Sequence, residues 1–168
     1  MKKIALISAK LDKQNISAHL YTLLAEFTGG AVAFDFDQMF NPEDFDALVI
    51  QGDLDQLKKM TSYDADGIFF EVQEPLKTLI LKFYQQSKPI GAIGLASLIV
   101  AQALKKSKPL ITLGETSDLI PQLSKLNIQH EACPSNDYIT DRDCKLLSTP
   151  HAVSTGVRLM IKELVEMA

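Results

Sequence analysis

The side chains that could do chemistry in this sequence stand at three separate places. Ser97 closes the stretch KPIGAIGLAS at residues 88–97, Cys133 precedes a proline, and His151 follows the tripeptide STP. Serine, cysteine and histidine supply nucleophiles and general bases in enzymes. Each has a plainer alternative, because a helical serine is often a cap or a packing contact, and cysteines and histidines are often structural. We therefore treat the three residues as candidates for catalysis, with His151 the histidine to test first.

Two glycine-containing stretches point to a binding site for an oxygen atom. KPIGAIGLAS runs from an apolar strand into an apolar helix through Gly94, and VIQGDLD places Gly52 at the end of another strand. At a strand-to-helix corner the unpaired N–H groups and the helix dipole stabilise an anion. A cysteine there would be a thiolate nucleophile, whereas glycine fits the same backbone without a side chain. We expect an anion-friendly pocket around Gly52, Gly94 and Leu95.

The elements that must position these residues alternate along the chain. Short apolar runs predict strands at KIALISA, GAVAFDF, FDALVIQG, PIGAIG and PLITLG, and helical segments are predicted at ISAHLYTLLAEF, residues 71–87, LASLIVAQALKK and SDLIPQLSKL. This order predicts an α/β fold, a doubly wound and mainly parallel sheet with helices on both faces. Two further strands should flank the turn DRD, and a last helix should cover residues 151–166. We expect one domain over residues 1–168.

Composition and charge exclude several classes of function. The 168 residues are 46% hydrophobic and 23% charged, and the formal net charge is −4. The basic pairs are short and scattered, so a nucleic-acid partner is not expected. No apolar run reaches the length of a membrane span, and the N-terminal residues resemble a first strand more than a signal peptide. Two cysteines do not make a disulfide framework, so a cytoplasmic location is the expectation.

No metal or cofactor is expected from the sequence. The three histidines are dispersed and form no i, i+4 pair. The acidic residues Asp137, Asp141 and Asp143 lack the glycine and the closing glutamate of a calcium-binding loop. We interpret that segment as a hydrated turn, with Cys144 exposed in it.

The second half of the chain is similar to a known family. KPIGAIGLASLIVAQAL and the following segment that ends in CPSNDYITDRDCKLLSTP, residues 88–150 together, resemble the enhancing-lycopene-biosynthesis (ElbB-like) branch of the ThiJ/PfpI superfamily. The resemblance of the N-terminal half is looser and is carried by KKIALIS, YTLLA and DALVIQG. It implies a class I glutamine amidotransferase-like, flavodoxin-like fold and a homodimer. In some members it implies glyoxalase-type chemistry on small 2-oxoaldehydes.

Three positions depart from the family's pattern. The nucleophilic cysteine falls on Gly94, and the glutamate that hydrogen-bonds it falls at or near Asn15. The double glycine of the oxyanion hole becomes Gly52 followed by Asp53, whose carboxylate would repel an oxyanion. The resemblance thus implies a pocket at Asn15, Gly52, Asp53, Gly94 and Leu95 that lacks nucleophile, base and half of the oxyanion hole.

Two hypotheses follow. In the first, the protein is a catalytically degenerate ThiJ/PfpI-like protein that binds a small carbonyl-containing or anionic molecule or acts as a dimeric interaction protein. In the second, it is a glyoxalase-type or related hydrolase or lyase whose nucleophile has moved to Ser97 or Cys133. They differ in whether a Cys, Ser or His side chain points into the cavity at Gly94 within reach of a base.

Overall fold

The computed structural model describes residues 1–8, 16–38, 40–152 and 154–168. Its strands, in chain order, are β1 (Lys3–Ile7), β2 (Gly30–Phe34), β3 (Ala47–Gly52), β4 (Ile90–Gly94), β5 (Leu110–Ile111), β6 (Gln129–His130), β7 (Ile139–Asp141) and β8 (Leu146–Thr149). Its α-helices are α1 (Ile16–Phe27), α2 (Leu54–Met60), α3 (Tyr63–Asp66), α4 (Glu74–Gln85), α5 (Ala96–Ala103) and α6 (Thr155–Met167). Strands and helices alternate, as the hydrophobic pattern predicts.

The main sheet is mostly parallel. Its strand order is β2-β1-β3-β4-β8-β7. All neighbouring strands from β2 to β8 in this order pair parallel, and β7 pairs with β8 antiparallel. Strand order reverses at β1, so β3 pairs with β1 rather than with β2, and β4 pairs with the other edge of β3. This arrangement confirms the predicted doubly wound sheet, and the carboxyl ends of β3, β4 and β8 meet at one edge.

Helices cover both faces of the sheet because its strands are apolar on both sides. Ile4 and Leu6 of β1 face the cluster that contains the buried residues of α1 and α6. Ala5 and Ile7 face the other cluster, which contains buried residues of α2, α4 and α5. All eight residues of α5 are buried, which explains why its sequence ASLIVAQA has no charged face.

Several elements differ from the prediction. PLITLG forms only the two-residue strand β5, which pairs with β6 in a separate small sheet. The predicted helix at SDLIPQLSKL is a 3₁₀ helix over Ile120–Leu126 with Pro121 in its first turn. The last helix begins at Thr155 rather than at 151. The sequence pattern did not predict the short helices α2 and α3.

The helices are too short or too polar to cross a membrane, for as much of the chain as the structure describes. Among the helices of the described residues, α6 is the longest, with 13 residues and both buried and exposed positions. A membrane-spanning helix needs about 20 predominantly apolar residues.

Candidate functional site

A cavity of about 340 Å³ opens at the carboxyl ends of β3, β4 and β8, and we call it the elbow pocket. The register of the sheet creates it, because Gly52 and Gly94 are direct partners at the ends of two neighbouring strands. Its walls come from both of these strand ends, from the segment after β5 and from the segment after β8. The residues that line it are Gln51, Gly52, Asp53, Ile93, Gly94, Leu95, Leu113, Pro150, His151 and Ala152.

Gly94 forms the corner between β4 and α5. Its φ of +69° lies in the left-handed region that side-chain-bearing residues rarely adopt. A Cβ atom built on Gly94 would lie 2.8 Å from the carbonyl oxygen of Gly52, which is too close for a carbon atom. The backbone therefore keeps the shape of a nucleophile elbow while the Gly52 carbonyl crowds the space that a side chain would need.

Asp53 is the N-cap of α2. Its Oδ1 atom accepts the N–H of Asp55 at 2.9 Å, and the N–H of Asp53 donates to Oε1 of Gln56 at 2.9 Å. The Asp53 side chain also accepts the backbone N–H of Gln56, the third helical residue, so Asp53 and Gln56 satisfy each other's backbone groups in a capping box. The N–H of Asp53 is thus engaged with Gln56, and the exposed carboxylate adds negative charge beside the pocket.

No family model matches the sequence. The mitochondrial ES1 protein of Danio rerio is 21% identical over 145 residues, which is 73% of this chain and 53% of that protein. The chain therefore spans about half the length of this curated relative.

Several solved structures have a similar fold. An isoprenoid biosynthesis protein with an amidotransferase-like domain from Ehrlichia chaffeensis superposes with a TM-score of 0.84 at 20% identity, over 99% of both chains. A DJ-1 variant of Schizosaccharomyces pombe and a DJ-1 superfamily protein of Agrobacterium tumefaciens give TM-scores of 0.68 and 0.67, at 14% and 17% identity. Each alignment covers 100% of this chain and 92% of the other.

This chain has the DJ-1-type fold. That finding confirms the class I glutamine amidotransferase-like architecture expected from the ThiJ/PfpI resemblance. At these identities the likeness concerns the fold, so the chemistry has to be argued from the residues themselves. In this DJ-1-type fold the strand-to-helix corner is occupied by Gly94.

Ser97 lies in the first turn of α5 with its side chain turned into the protein. It has no exposed surface, and its hydroxyl lies 3.4 Å from the carbonyl oxygen of Ala92. It is absent from the lining of the elbow pocket. The structure thus gives Ser97 the packing position that was the alternative to a nucleophilic role.

Cys133 is also buried, with 2% of its surface exposed, and it does not line the elbow pocket. Its Sγ atom donates to the carbonyl oxygen of Pro134. Burial raises the pKa of its thiol, and the nearby Asp137 and Glu131 carboxylates raise it further. A raised pKa disfavours the thiolate, which is the nucleophilic form.

The prediction that Cys144 is exposed was wrong. Its side chain is 4% exposed and belongs to the core cluster on one face of the sheet. Within the turn between β7 and β8, Oδ1 of Asp141 accepts the N–H of Cys144 at 3.1 Å. Burial, with Asp141 beside it, raises the pKa of the Cys144 thiol to about 12.

Five of the sequence-predicted site residues meet in the pocket, namely Gly52, Asp53, Gly94, Leu95 and His151. His151 is exposed and lies between β8 and α6. Asn15, the predicted replacement for the family's glutamate, lies outside the described residues. The structure therefore places one imidazole and one carboxylate beside a corner that has no side chain of its own.

Sequence reasoning missed Gln56 and the wall residue Leu113. Gln56 could have been predicted, because Asp-x-x-Gln at the start of a helix is a capping-box pattern. Leu113 is held by a bond from its N–H to Nε2 of His130, which is 17 residues away and therefore not readable from local pattern. Across the described parts of the chain, no group of three His, Cys, Asp or Glu residues is arranged to hold a metal ion.

Proposed function

We propose that this protein is a catalytically degenerate ThiJ/PfpI-like protein that binds a small carbonyl-containing or anionic molecule in the elbow pocket. The observation that carries the proposal is the corner at Gly94. It has the positive φ of a nucleophile elbow, it has no side chain, and the Gly52 carbonyl oxygen crowds the space a side chain would occupy. Attack by a nucleophile held at this position is therefore not available to the protein.

The capping box at α2 supports the same proposal. In an oxyanion hole, backbone N–H groups must be free to donate to the developing negative charge. The N–H of Asp53 already donates to Gln56, and the Asp53 carboxylate would repel an oxyanion. Stabilisation of an anionic intermediate is thus weakened at the same place where the nucleophile is missing.

The remaining features of the pocket suit reversible binding. A volume of about 340 Å³ is at the lower end of the range for small-molecule sites. Ile93, Leu95, Leu113 and Pro150 supply apolar wall, and Leu95 is also the N-cap of α5. The N-terminal end of a helix attracts a negatively polarised atom, so this end of the pocket suits a ligand oxygen.

The electrostatics favour a neutral carbonyl compound over an anion. Asp53 is exposed at the pocket and carries a negative charge near the helix terminus that would hold the ligand oxygen. A carboxylate ligand would be attracted by the α5 N-terminus and repelled by Asp53, whereas a neutral carbonyl group meets only the favourable dipole. We therefore place a small ketone or aldehyde first among ligands of this type.

The alternative hypothesis requires a relocated nucleophile. Ser97 and Cys133 are both buried and outside the pocket lining, and the pKa of Cys133 is raised. A hydrolytic or glyoxalase-type reaction through either group would need the side chain to reorient into the cavity. No observation favours this over binding, so the alternative enters only as an outcome of the experiments.

Titration with hydroxyacetone and pyruvate tests the proposal. Both have three carbons, and they differ in charge. Amide chemical shifts in a ¹⁵N-labelled sample should change saturably at Gly52, Gly94 and Leu95, more strongly with hydroxyacetone. The variant Ala152→Phe should abolish these changes by filling the pocket, while Ala25→Phe on the exposed side of α1 should leave them intact. Absence of saturable shifts, or shifts indifferent to Ala152→Phe, would contradict binding in the elbow pocket.

The homodimer and the cytoplasmic location stay predictions that rest on the family resemblance and the cysteine content. A link to isoprenoid metabolism is a further proposal, suggested by the name of the Ehrlichia chaffeensis protein. Light scattering coupled to size-exclusion chromatography tests the dimer directly. A mass near twice 18.6 kDa is expected, and a concentration-independent mass of 18.6 kDa would contradict it.

A further inference from the structure

Residues 110–114, which we call the wall segment of the elbow pocket, are held in place by hydrogen bonds from their backbone to side chains. β5 lies in this segment, and it pairs with β6 rather than with a strand of the main sheet. Four of the five N–H groups of the segment donate to side-chain atoms. The bonds are Leu110 N to Asp141 Oδ2 at 2.8 Å, Thr112 N to Ser148 Oγ at 3.0 Å, Leu113 N to His130 Nε2 at 3.0 Å and Gly114 N to Thr112 Oγ1 at 3.0 Å.

Among these acceptors, the imidazole of His130 is the group that can change its charge near neutral pH. The others are two hydroxyl groups and a carboxylate, which ordinarily keep their charge between pH 5 and 8. Because Nε2 of His130 accepts an N–H, it carries no proton, and the neutral ring must hold its proton on Nδ1. A second proton would turn Nε2 into a donor that faces another donor, and the bond to Leu113 would be lost.

Leu113 connects this bond to the pocket, since its side chain lines the cavity. The next residue, Gly114, has a φ of +93°, and a Cβ atom built on it would lie 3.4 Å from Cβ of Pro150, a second lining residue. Release of the Leu113 N–H would therefore loosen one wall of the cavity without touching its floor at Gly52 and Gly94.

The surroundings of His130 favour the neutral ring. Burial lowers its pKa from the ordinary value, and the neighbouring Glu131 acts in the opposite direction. The strand β5, whose Ile111 is the register partner of His130, has no charged residue. The 3₁₀ helix Ile120–Leu126 that packs against β6 carries Lys125, and the loop before it carries Glu115 and Asp118.

We propose that His130 is a positioning residue for the elbow pocket, and that protonation of its imidazole releases Leu113 and weakens ligand binding. The first half of the proposal is that protonation of His130 releases Leu113. The second half is that this release weakens ligand binding, and it rests on the proposed function. Acidification therefore acts as a switch on the binding site through a residue that does not line the cavity.

NMR spectroscopy of the full chain, from pH 8 down through the titration of the His130 ring, tests the first half without a ligand. We expect the protection factor of the Leu113 amide against hydrogen exchange to fall at least tenfold as the His130 ring titrates. In His130→Gln the side-chain oxygen can accept the same N–H but does not titrate, so protection should stay high and independent of pH. In His130→Ala protection should be low throughout, and His19→Gln on exposed α1 should reproduce the wild type.

A pH-independent Leu113 amide in the wild type while His130 titrates, or a wild-type pH profile in His130→Gln, would overturn the proposal. Hydroxyacetone affinity measured above and below the pH at which the His130 ring titrates tests the second half, and a loss on the order of fivefold is expected in wild type but not in His130→Gln. Equal affinities at both pH values would overturn the link to binding. Failure of hydroxyacetone to bind at any pH would contradict the proposed function, while the Leu113 amide would still decide the role of His130.

Discussion

The carbonyl oxygen of Gly52 lies 2.8 Å from the position that a Cβ atom on Gly94 would occupy. These two residues are register partners at the ends of β3 and β4. Any side chain at position 94 would force the Gly52 peptide on the neighbouring strand to move. The pocket is thus adapted to glycine at its centre, and the absence of a nucleophile is built into the backbone around it.

Gly94→Ala should destabilise the fold by about 1–3 kcal/mol, because the variant combines a positive φ with the close contact to Gly52. The control is Gly30→Ala on β2, where a Cβ atom meets nothing within 4 Å. It should be neutral or slightly stabilising. Urea unfolding of the two variants checks the prediction, and equal stabilities would show that the corner is not strained against side chains.

Asp53→Ala should cost about 0.5–2 kcal/mol through loss of the α2 cap, whereas Asp53→Asn should cost little because asparagine is also a good cap. Asparagine also removes the charge beside the pocket. The preference for hydroxyacetone over pyruvate should therefore narrow in Asp53→Asn. Thermal unfolding and the two titrations measure these effects. If asparagine destabilises as much as alanine, the carboxylate has a role that the capping box does not describe.

Both native cysteines should be poorly reactive. Because the pKa of Cys144 is raised from 9.0 to about 12, its thiolate fraction at pH 7.5 is roughly a thousandth of that of an ordinary cysteine. The pKa of Cys133 is raised as well. Labelling with a disulfide reagent should be slow in the folded protein and fast in urea. Single variants Cys133→Ser and Cys144→Ser assign the signal to each thiol. Rapid labelling of Cys133 in the folded protein would contradict this prediction and support the hypothesis that Cys133 is a nucleophile.

Tyr138 makes stability depend on pH in the alkaline range. Burial, with Glu163 hydrogen-bonded to the phenol, raises the pKa of Tyr138 from 10.0 to about 12. Between these values the unfolded chain releases a proton that the folded chain retains, so stability falls as pH rises, by at most about 1.4 kcal/mol per pH unit. Tyr138→Phe should flatten the fall, and Tyr21→Phe, at a tyrosine that is 45% exposed, should not. Identical slopes in wild type and Tyr138→Phe would refute this assignment.

Local pattern was sufficient for the main frame of the fold. The apolar periodicity of ISAHLYTLLAEF predicts α1 over the same residues that form it, and PIGAIG with the following apolar helix predicts the corner at Gly94. These elements are long or strongly apolar, so burial decides their structure in the way the pattern indicates. The predicted turn between β7 and β8 is likewise present, at residues 142–145.

Features that depend on distant contacts could not be predicted in the same way. The bond from Leu113 to His130 joins segments brought together by the small β5-β6 sheet. In the turn that buries Cys144, Asp141 accepts the N–H of Cys144 and also the N–H of Leu110 from another strand. In both places a side-chain acceptor on one segment binds a backbone N–H on another. The distance between the two residues along the sequence follows no local pattern, so the sequence does not reveal the pairing.

The central claim is that the elbow pocket binds without catalysing. Lactate formation from methylglyoxal by the purified wild-type protein tests it most directly, because this is the reaction that the family resemblance implies. We predict a rate equal to that of buffer, and no gain in Gly94→Cys, whose thiol would still lack a free Asp53 N–H beside it. Lactate formation that rises with the concentration of wild-type protein and disappears in Ser97→Ala or Cys133→Ala would contradict the account.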